Sequence, residues 1–235
     1  MDSMNSPSAH AESMLNNDAW VVIPLFNEAQ VIGEVVQGLR GLFAQVVCID
    51  DGSNDESGTI ARAAGARIVR HPINLGQGAA LQTGFEYALE RGAHYVVTFD
   101  ADGQHRVEDA LEMLNRARNE GLAIVYGSRF LDNRTRPGLL KKIVLKTAVW
   151  VTNLTTRTRL TDAHNGLRVI RNDALNLIKL RQDRMAHGTE IVVQLGRTGL
   201  PYAEHPVEVI YSDYSKAKGQ SLLNSVNILI DLIIR

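Results

Sequence analysis

Tyr95-Val96-Val97-Thr98-Phe99-Asp100-Ala101-Asp102-Gly103-Gln104-His105 joins an apolar β-type run to an acidic turn. Two carboxylates stand two positions apart, and the amide of Gln104 follows at the same interval. A strand that ends in such a turn can gather three oxygen ligands around one hard cation, and Mg²⁺ and Mn²⁺ favour oxygen. A cation held there neutralises a diphosphate and stabilises it as a leaving group. Taken alone, the hexapeptide also reads as a polar turn that opens the next helix. His105 is read as support for that helix start, because hard cations prefer oxygen to nitrogen.

The same pattern recurs upstream. Trp20 to Phe26 is an apolar run that ends in Asn27-Glu28. Val46 to Ile49 ends in Asp50-Asp51-Gly52-Ser53. Between them Val31, Ile32, Val35, Val36 and Leu39 form one helical stripe. Helices are predicted from about Asp55 to Ala64, stopped by Gly65, from about Gly78 to Glu90, and from Val107 to Arg118. Arg67 to Val69 and Ala123 to Tyr126 read as strands. This βαβα alternation predicts an α/β fold, a largely parallel sheet with helices on both faces. Ligands of such sheets bind beyond the carboxyl ends of the strands. Asn27-Glu28, Asp50-Asp51 and Asp100-Asp102 all fall at such ends. The second half is less regular: a strand is expected at Leu167 to Ile170, a helix from about His187 to Thr198, and an extended run from Tyr202 to Tyr211.

Composition narrows the function classes. The chain has 235 residues, is 45% hydrophobic and carries a formal net charge of -1. That suffices for one sizeable core. Without a concentrated basic block, nucleic acid is not an expected partner. The single cysteine, Cys48, lies in an apolar run and reads as a buried small hydrophobe, consistent with a reducing cytosol. Residues 1–18 are polar, lack the apolar centre of a signal peptide and are expected to be a flexible tail. No stretch of eighteen unbroken apolar residues occurs.

Three further clusters carry chemistry. Asp50 and Asp51 can accept hydrogen bonds from ribose hydroxyls or base N–H groups, or can serve the next helix as caps, the role expected of Ser53 and Asp55. Asn74 to Ala80 is a glycine-bearing turn opening a helix; its backbone donors can approach phosphate, or simply turn the chain. It is not GxGxxG and does not follow the first strand, so a dinucleotide site is a poor reading. Gly127-Ser128-Arg129 places a guanidinium, a paired donor for phosphate, after a strand, with Arg134 and Arg136 read as a solvated basic loop.

Pro24-Leu25-Phe26-Asn27-Glu28, Ile49 to Asp55 and the acidic turn together resemble family 2 inverting glycosyltransferases of the GT-A fold, closest in style to dolichyl- or polyprenyl-phosphate sugar synthases. The resemblance runs from Trp20 to about Lys218 and implies a GT-A domain over residues 19–218 and a hexosyltransferase activity. It implies nucleotide binding for Pro24, Phe26, Glu28 and Asp51. Asn27, Asp50 and Asp100, at the same strand ends, and Gly76 and Gly78 of the glycine turn are counted with them. Asp100, Asp102 and Gln104 become ligands or close partners of Mg²⁺ or Mn²⁺. Gln77 stands where relatives often carry Lys, which removes a positive charge from the turn. Arg129 is implied to contact a phosphate. Thr161 to Arg168 matches the acceptor-side segment, with Leu167 in place of the usual aromatic; Asp162 is the candidate base and Glu190 a second one.

The implied reaction is displacement at an anomeric carbon, with a UDP- or GDP-linked sugar as donor. A polyprenyl phosphate acceptor, with a second pKa of about 6, is already ionised and needs no strong base. The hydroxyl of a lipid-linked or cell-surface glycan needs a carboxylate base. A non-catalytic nucleotide-sugar scaffold for a membrane partner is the alternative of another class; a nucleotidyltransferase lacks its glycine-rich loop after the first strand. Leu139 to Leu154, with three lysines and Trp150, reads as a membrane-surface helix or an amphipathic core helix. The two lysines of Tyr211 to Gly219 read either as closing over phosphates or as a disordered basic loop, and residues 219–235 are expected to form an apolar helix for membrane or partner docking. The expected location is the cytoplasmic face of a membrane, held peripherally.

Overall fold

Alternating apolar runs and amphipathic stripes fold as their periods require. The computed structural model describes residues 16–132, 158–182 and 187–210. The elements follow in order: β1 (Ala19–Leu25), α1 (Ile32–Arg40), β2 (Gln45–Asp50), α2 (Ser57–Ala63), β3 (Arg67–Arg70), α3 (Gln77–Leu89), β4 (Tyr95–Thr98), α4 (Val107–Asn119), β5 (Ile124–Ser128), β6 (Arg168–Arg171), α5 (Asn172–Leu175), α6 (His187–Arg197) and β7 (Tyr202–Pro206). The described strands form one seven-stranded sheet in the order β3-β2-β1-β4-β6-β5-β7. The order reverses at β1, which pairs in parallel with both β2 and β4. A crevice therefore opens between the ends of β1 and β4, at the topological switch point where open α/β sheets bind ligands.

β6 breaks the parallel pattern. It runs antiparallel to β4 on one side and β5 on the other, and β5 then pairs in parallel with β7. The sheet is mostly parallel, as its sequence predicts, with one reversed strand.

Period-two burial splits the core into two layers. Val21, Ile23, Val97, Val125 and Val169 face one way and meet Ile32, Val36 and Leu39 of α1 and Met113 and Leu114 of α4. Trp20, Val22, Val96, Ile124 and Ile170 face the other way, toward Leu81 and Phe85 of α3 and Ile191 and Leu195 of α6. Each buried Leu, Ile or Phe contributes about 1.5–3 kcal/mol over its exposed state. Cys48 lies in the first layer, and burial pushes its thiol up.

Leu139 to Leu154, Arg134, Arg136, Tyr211 to Gly219, residues 219–235 and most of the expected tail lie outside the described residues. Asn16 and Asp18, counted with that tail, are tied down. The Arg118 guanidinium donates to both side chains, and Asn16 Nδ2 donates to the Leu42 carbonyl at 2.8 Å. Among the described residues no helix is long and apolar enough to cross a membrane.

Candidate active site

The crevice is walled by the turns after β1, β2 and β4. Asn27, which follows β1, adopts φ 54°, the left-handed region that Asn tolerates better than most residues. Cross-links to the β2 turn hold it: Asn27 N–H donates to Ser53 Oγ at 3.1 Å, Asn54 N–H donates to Asn27 Oδ1 at 2.9 Å, and Glu28 N–H donates to Ser57 Oγ at 2.7 Å. Ser53 thus braces Asn27 rather than capping α2. Asp55 does serve that helix start, accepting the Ser57 N–H at 3.0 Å. Pro24 lies within β1 opposite Ile49, and Phe26 is exposed at the strand end.

Asp50 and Asp51 are buried and fully engaged. Asp50 Oδ1 accepts the Ser53 N–H at 2.9 Å, and Arg70 Nε lies 3.6 Å from its other oxygen. Asp51 Oδ1 accepts the Leu75 N–H at 2.9 Å, and Oδ2 accepts the Gly76 N–H at 2.7 Å. His71 Nδ1 lies 2.7 Å from Asp51, with its Nε2 3.0 Å from Thr83 Oγ1. Asp51 therefore shapes the glycine turn, and one backbone donor considered for phosphate, Gly76, points at it. Gly76 itself has φ 102°, open to glycine and costly for other residues. Gly78 seats α3 against the start of α6: a Cβ there would meet His187 Cβ at 2.8 Å.

The β4 turn is built differently. Gln77 Nε2 donates to Asp100 Oδ1 at 3.3 Å, and His105 Nε2 lies 3.1 Å from Asp100 Oδ2. Burial would raise the Asp100 pKa, but His105, Arg168 and His187 outweigh it and leave Asp100 below its ordinary value. Burial and the neighbouring Asp100 charge push Asp102 up to about 6, and Glu28 across the crevice adds to the rise. This is the signature of crowded acids, which a cation relieves. Gln104 is buried; its backbone N–H donates to Asp102 Oδ1 at 3.0 Å. Among the described residues no group of three or more His, Cys, Asp or Glu forms a metal cage. Two carboxylates fit Mg²⁺ or Mn²⁺, which complete their shells with water and substrate phosphate.

Behind this turn lies the segment that enters β6. A Cβ built at Gly166 would stand 2.6 Å from Asp100 Cγ, so only glycine lets the backbone rest on that carboxylate. Thr98 Oγ1 donates to the Gly166 carbonyl at 2.6 Å and fixes the approach. Asp162 is buried and gripped by Arg129, whose Nε and Nη2 donate at 2.6 Å and 2.8 Å to its two oxygens. Burial works to raise the Asp162 pKa, yet the Arg129 charge and hydrogen bonds hold it below the usual carboxylate range. Glu204 of β7 accepts the N–H groups of Thr161 and Asp162 at 2.7 Å and 3.1 Å. Glu190 accepts the N–H groups of Arg181 and Gln182 at 3.0 Å and 2.8 Å, tying down the loop before α6.

The structure thus gathers Glu28, Asp100 and Asp102 at one crevice and pairs Arg129 with Asp162. The sequence gives no role to His71, and places Gly166 and Arg168 only within the Thr161 to Arg168 segment, with no role of their own. His71 had a usable signal: it is the first residue beyond β3, at a strand end like the acids.

A mostly parallel sheet with an acid turn at its switch point is the arrangement that the resemblance to GT-A transferases implies. The comparisons agree. Residues 20–177 match Glycosyl transferase family 2. A protein of Methanocaldococcus jannaschii is 32% identical across 100% of this chain and 99% of its own length. A UDP-N-acetylglucosamine–dolichyl-phosphate N-acetylglucosaminyltransferase of Methanococcus voltae is 28% identical across 91% of this chain and 94% of its own. Glucosyl-3-phosphoglycerate synthase of Mycobacterium tuberculosis, solved with Mn²⁺ and UDP-glucose, superposes with a TM-score of 0.65 at 17% identity, covering 99% and 84% of the two chains. The chain belongs to glycosyl transferase family 2 and is a glycosyltransferase of the GT-A fold.

Proposed function

We propose that this enzyme transfers a sugar, with inversion, from a UDP- or GDP-linked donor to a polyprenyl-type phosphate, using Mg²⁺ or Mn²⁺. The state of Asp162 carries the choice of acceptor. Its carboxylate is locked onto Arg129 and held acidic, which makes it a poor proton acceptor for a hydroxyl. Glu190 is committed to loop backbone. An ionised phosphate needs neither. The name of the Methanococcus voltae relative, a dolichyl-phosphate transferase, points the same way.

In this reading Pro24, Phe26, Asn27, Glu28, Asp50, Asp51, Gly76 and Gly78 shape and line the nucleotide side. Asp100 and Asp102, with Gln104 behind them, hold the cation, which when bound offsets the charge of the departing diphosphate. Asp162 orients Arg129 toward phosphate. Contact with a membrane is peripheral in this reading, at its cytoplasmic face, as the lipid-linked substrates named for the relatives suggest. The test is product formation from labelled UDP- and GDP-sugars with bare polyprenyl phosphate. Turnover is expected; turnover only on a glycan hydroxyl would reject this acceptor.

A further inference from the structure

Arg168 is a buried cation that, among the described residues, has no anion in contact. It stands on β6 between Thr98 of β4 and Tyr126 of β5 and is only 4% exposed. Its Nη1 reaches the Gly166 carbonyl at the long distance of 3.5 Å, and its Nε has no partner. Among the described residues no carboxylate forms an ion pair with it. Arginine keeps its proton even when buried, so the charge is permanent. Its field reaches Asp100 and Asp162. Asp162 is matched by Arg129, and Asp100, which His105 faces at 3.1 Å, is the acid that acts most strongly on Arg168 without touching it. The Gly166 carbonyl, shared by Arg168 and Thr98, fixes the guanidinium relative to the Asp100 carboxylate. A buried charge left unmatched is costly and needs a reason.

We propose that Arg168 is a positioning residue of the donor site: its fixed positive charge behind Asp100 draws the anionic diphosphate into the crevice and opposes a divalent cation bound alone. The inference rests on the donor and metal reading given above. Charge acting through a low-dielectric interior reaches further than in water. The two ligands, being of opposite sign, must respond oppositely when that charge is removed. A residue that merely held the fold would weaken both.

The experiment compares wild-type protein with Arg168→Met, which fills the space without charge, and Arg168→Lys, which keeps the charge. Mn²⁺ alone is followed by electron paramagnetic resonance, and UDP and GDP, each in EDTA, by calorimetry. Arg168→Met is expected to bind Mn²⁺ about threefold to tenfold more tightly and the nucleotide about tenfold more weakly, with Arg168→Lys near wild type. Both ligands weakening together, or neither moving, would overturn the inference while wild-type binding still supports the proposed function. Wild-type protein that binds neither Mn²⁺ nor nucleotide would overturn that function as well. If Arg168→Met does not fold, pyrophosphate in EDTA decides: a rise in wild-type Tm that high salt abolishes, and that Arg168→Lys retains, supports the role; no rise overturns it.

Discussion

Asp50 and Asp51 close the end of β2, and Asp100 and Asp102 close the end of β4. The first pair is 1% and 3% exposed, and its oxygens are taken by backbone N–H groups, Arg70 and His71. The second pair is half-buried and braced from Gln77 and His105, and burial together with the Asp100 charge lifts Asp102 to about 6. Like residues at like strand ends thus serve different ends. The β2 acids spend their charge on loop geometry, which gives the crevice its shape. The β4 acids leave Asp102 crowded and raised, which on the proposed function is the charge a cation would answer.

The sharpest way to break this contrast is at Asp102. Asp102→Asn should lower transfer about a hundredfold or more at saturating Mn²⁺, while the metal-free melt stays at or above wild type, because crowding is relieved. Turnover equal to wild type would refute the assignment. Next comes Gly166→Ala, whose methyl would push Asp100 from its place; about a hundredfold loss of kcat with a retained circular-dichroism spectrum is expected. Third, Asp102 takes a proton before Asp100 does. Mn²⁺ affinity should fall about tenfold per unit below about pH 6 and level off above it, as titration by magnetic resonance would record. The sign for stability is opposite: a raised carboxylate contributes fully below its ordinary value of 3.8 and loses that contribution as pH rises through about 6. The smallest effect on turnover falls on the β2 side. Asp51→Asn should cost about 1–3 kcal/mol in urea unfolding by loosening His71, Leu75 and Gly76. A neutral result there, with a large one for metal-free Asp102→Asn, would invert the comparison.

Much of the fold was legible because burial has a period. The α1 stripe and the β1, β2 and β4 runs emerge within a residue or two of their expected bounds. The acid turns were legible because each follows an apolar run. Strand direction was not. Leu167 to Ile170 shows apolar β character, but nothing in four residues says that β6 runs backwards between β4 and β5. Nor does a carboxylate in a sequence reveal its partner. Asp162 reads as a candidate base, and only the structure shows Arg129, 33 positions away, gripping it. Gly166 and Arg168 stand in a segment that the resemblance picks out, but the sequence does not tell that one rests on Asp100 or that the other is buried in the sheet.

The reversed strand has an architectural consequence. In a purely parallel sheet only chain leaving a strand can reach the ligand edge. Because β6 points the other way, chain arriving at it is delivered to that edge too, bringing Asp162, His164 and Gly166 opposite the donor turns. On the proposed function, donor and acceptor are then served by separate stretches of polypeptide, one recruited from exits and one from an entrance. Such a division lets acceptor preference drift while the donor machinery stays fixed.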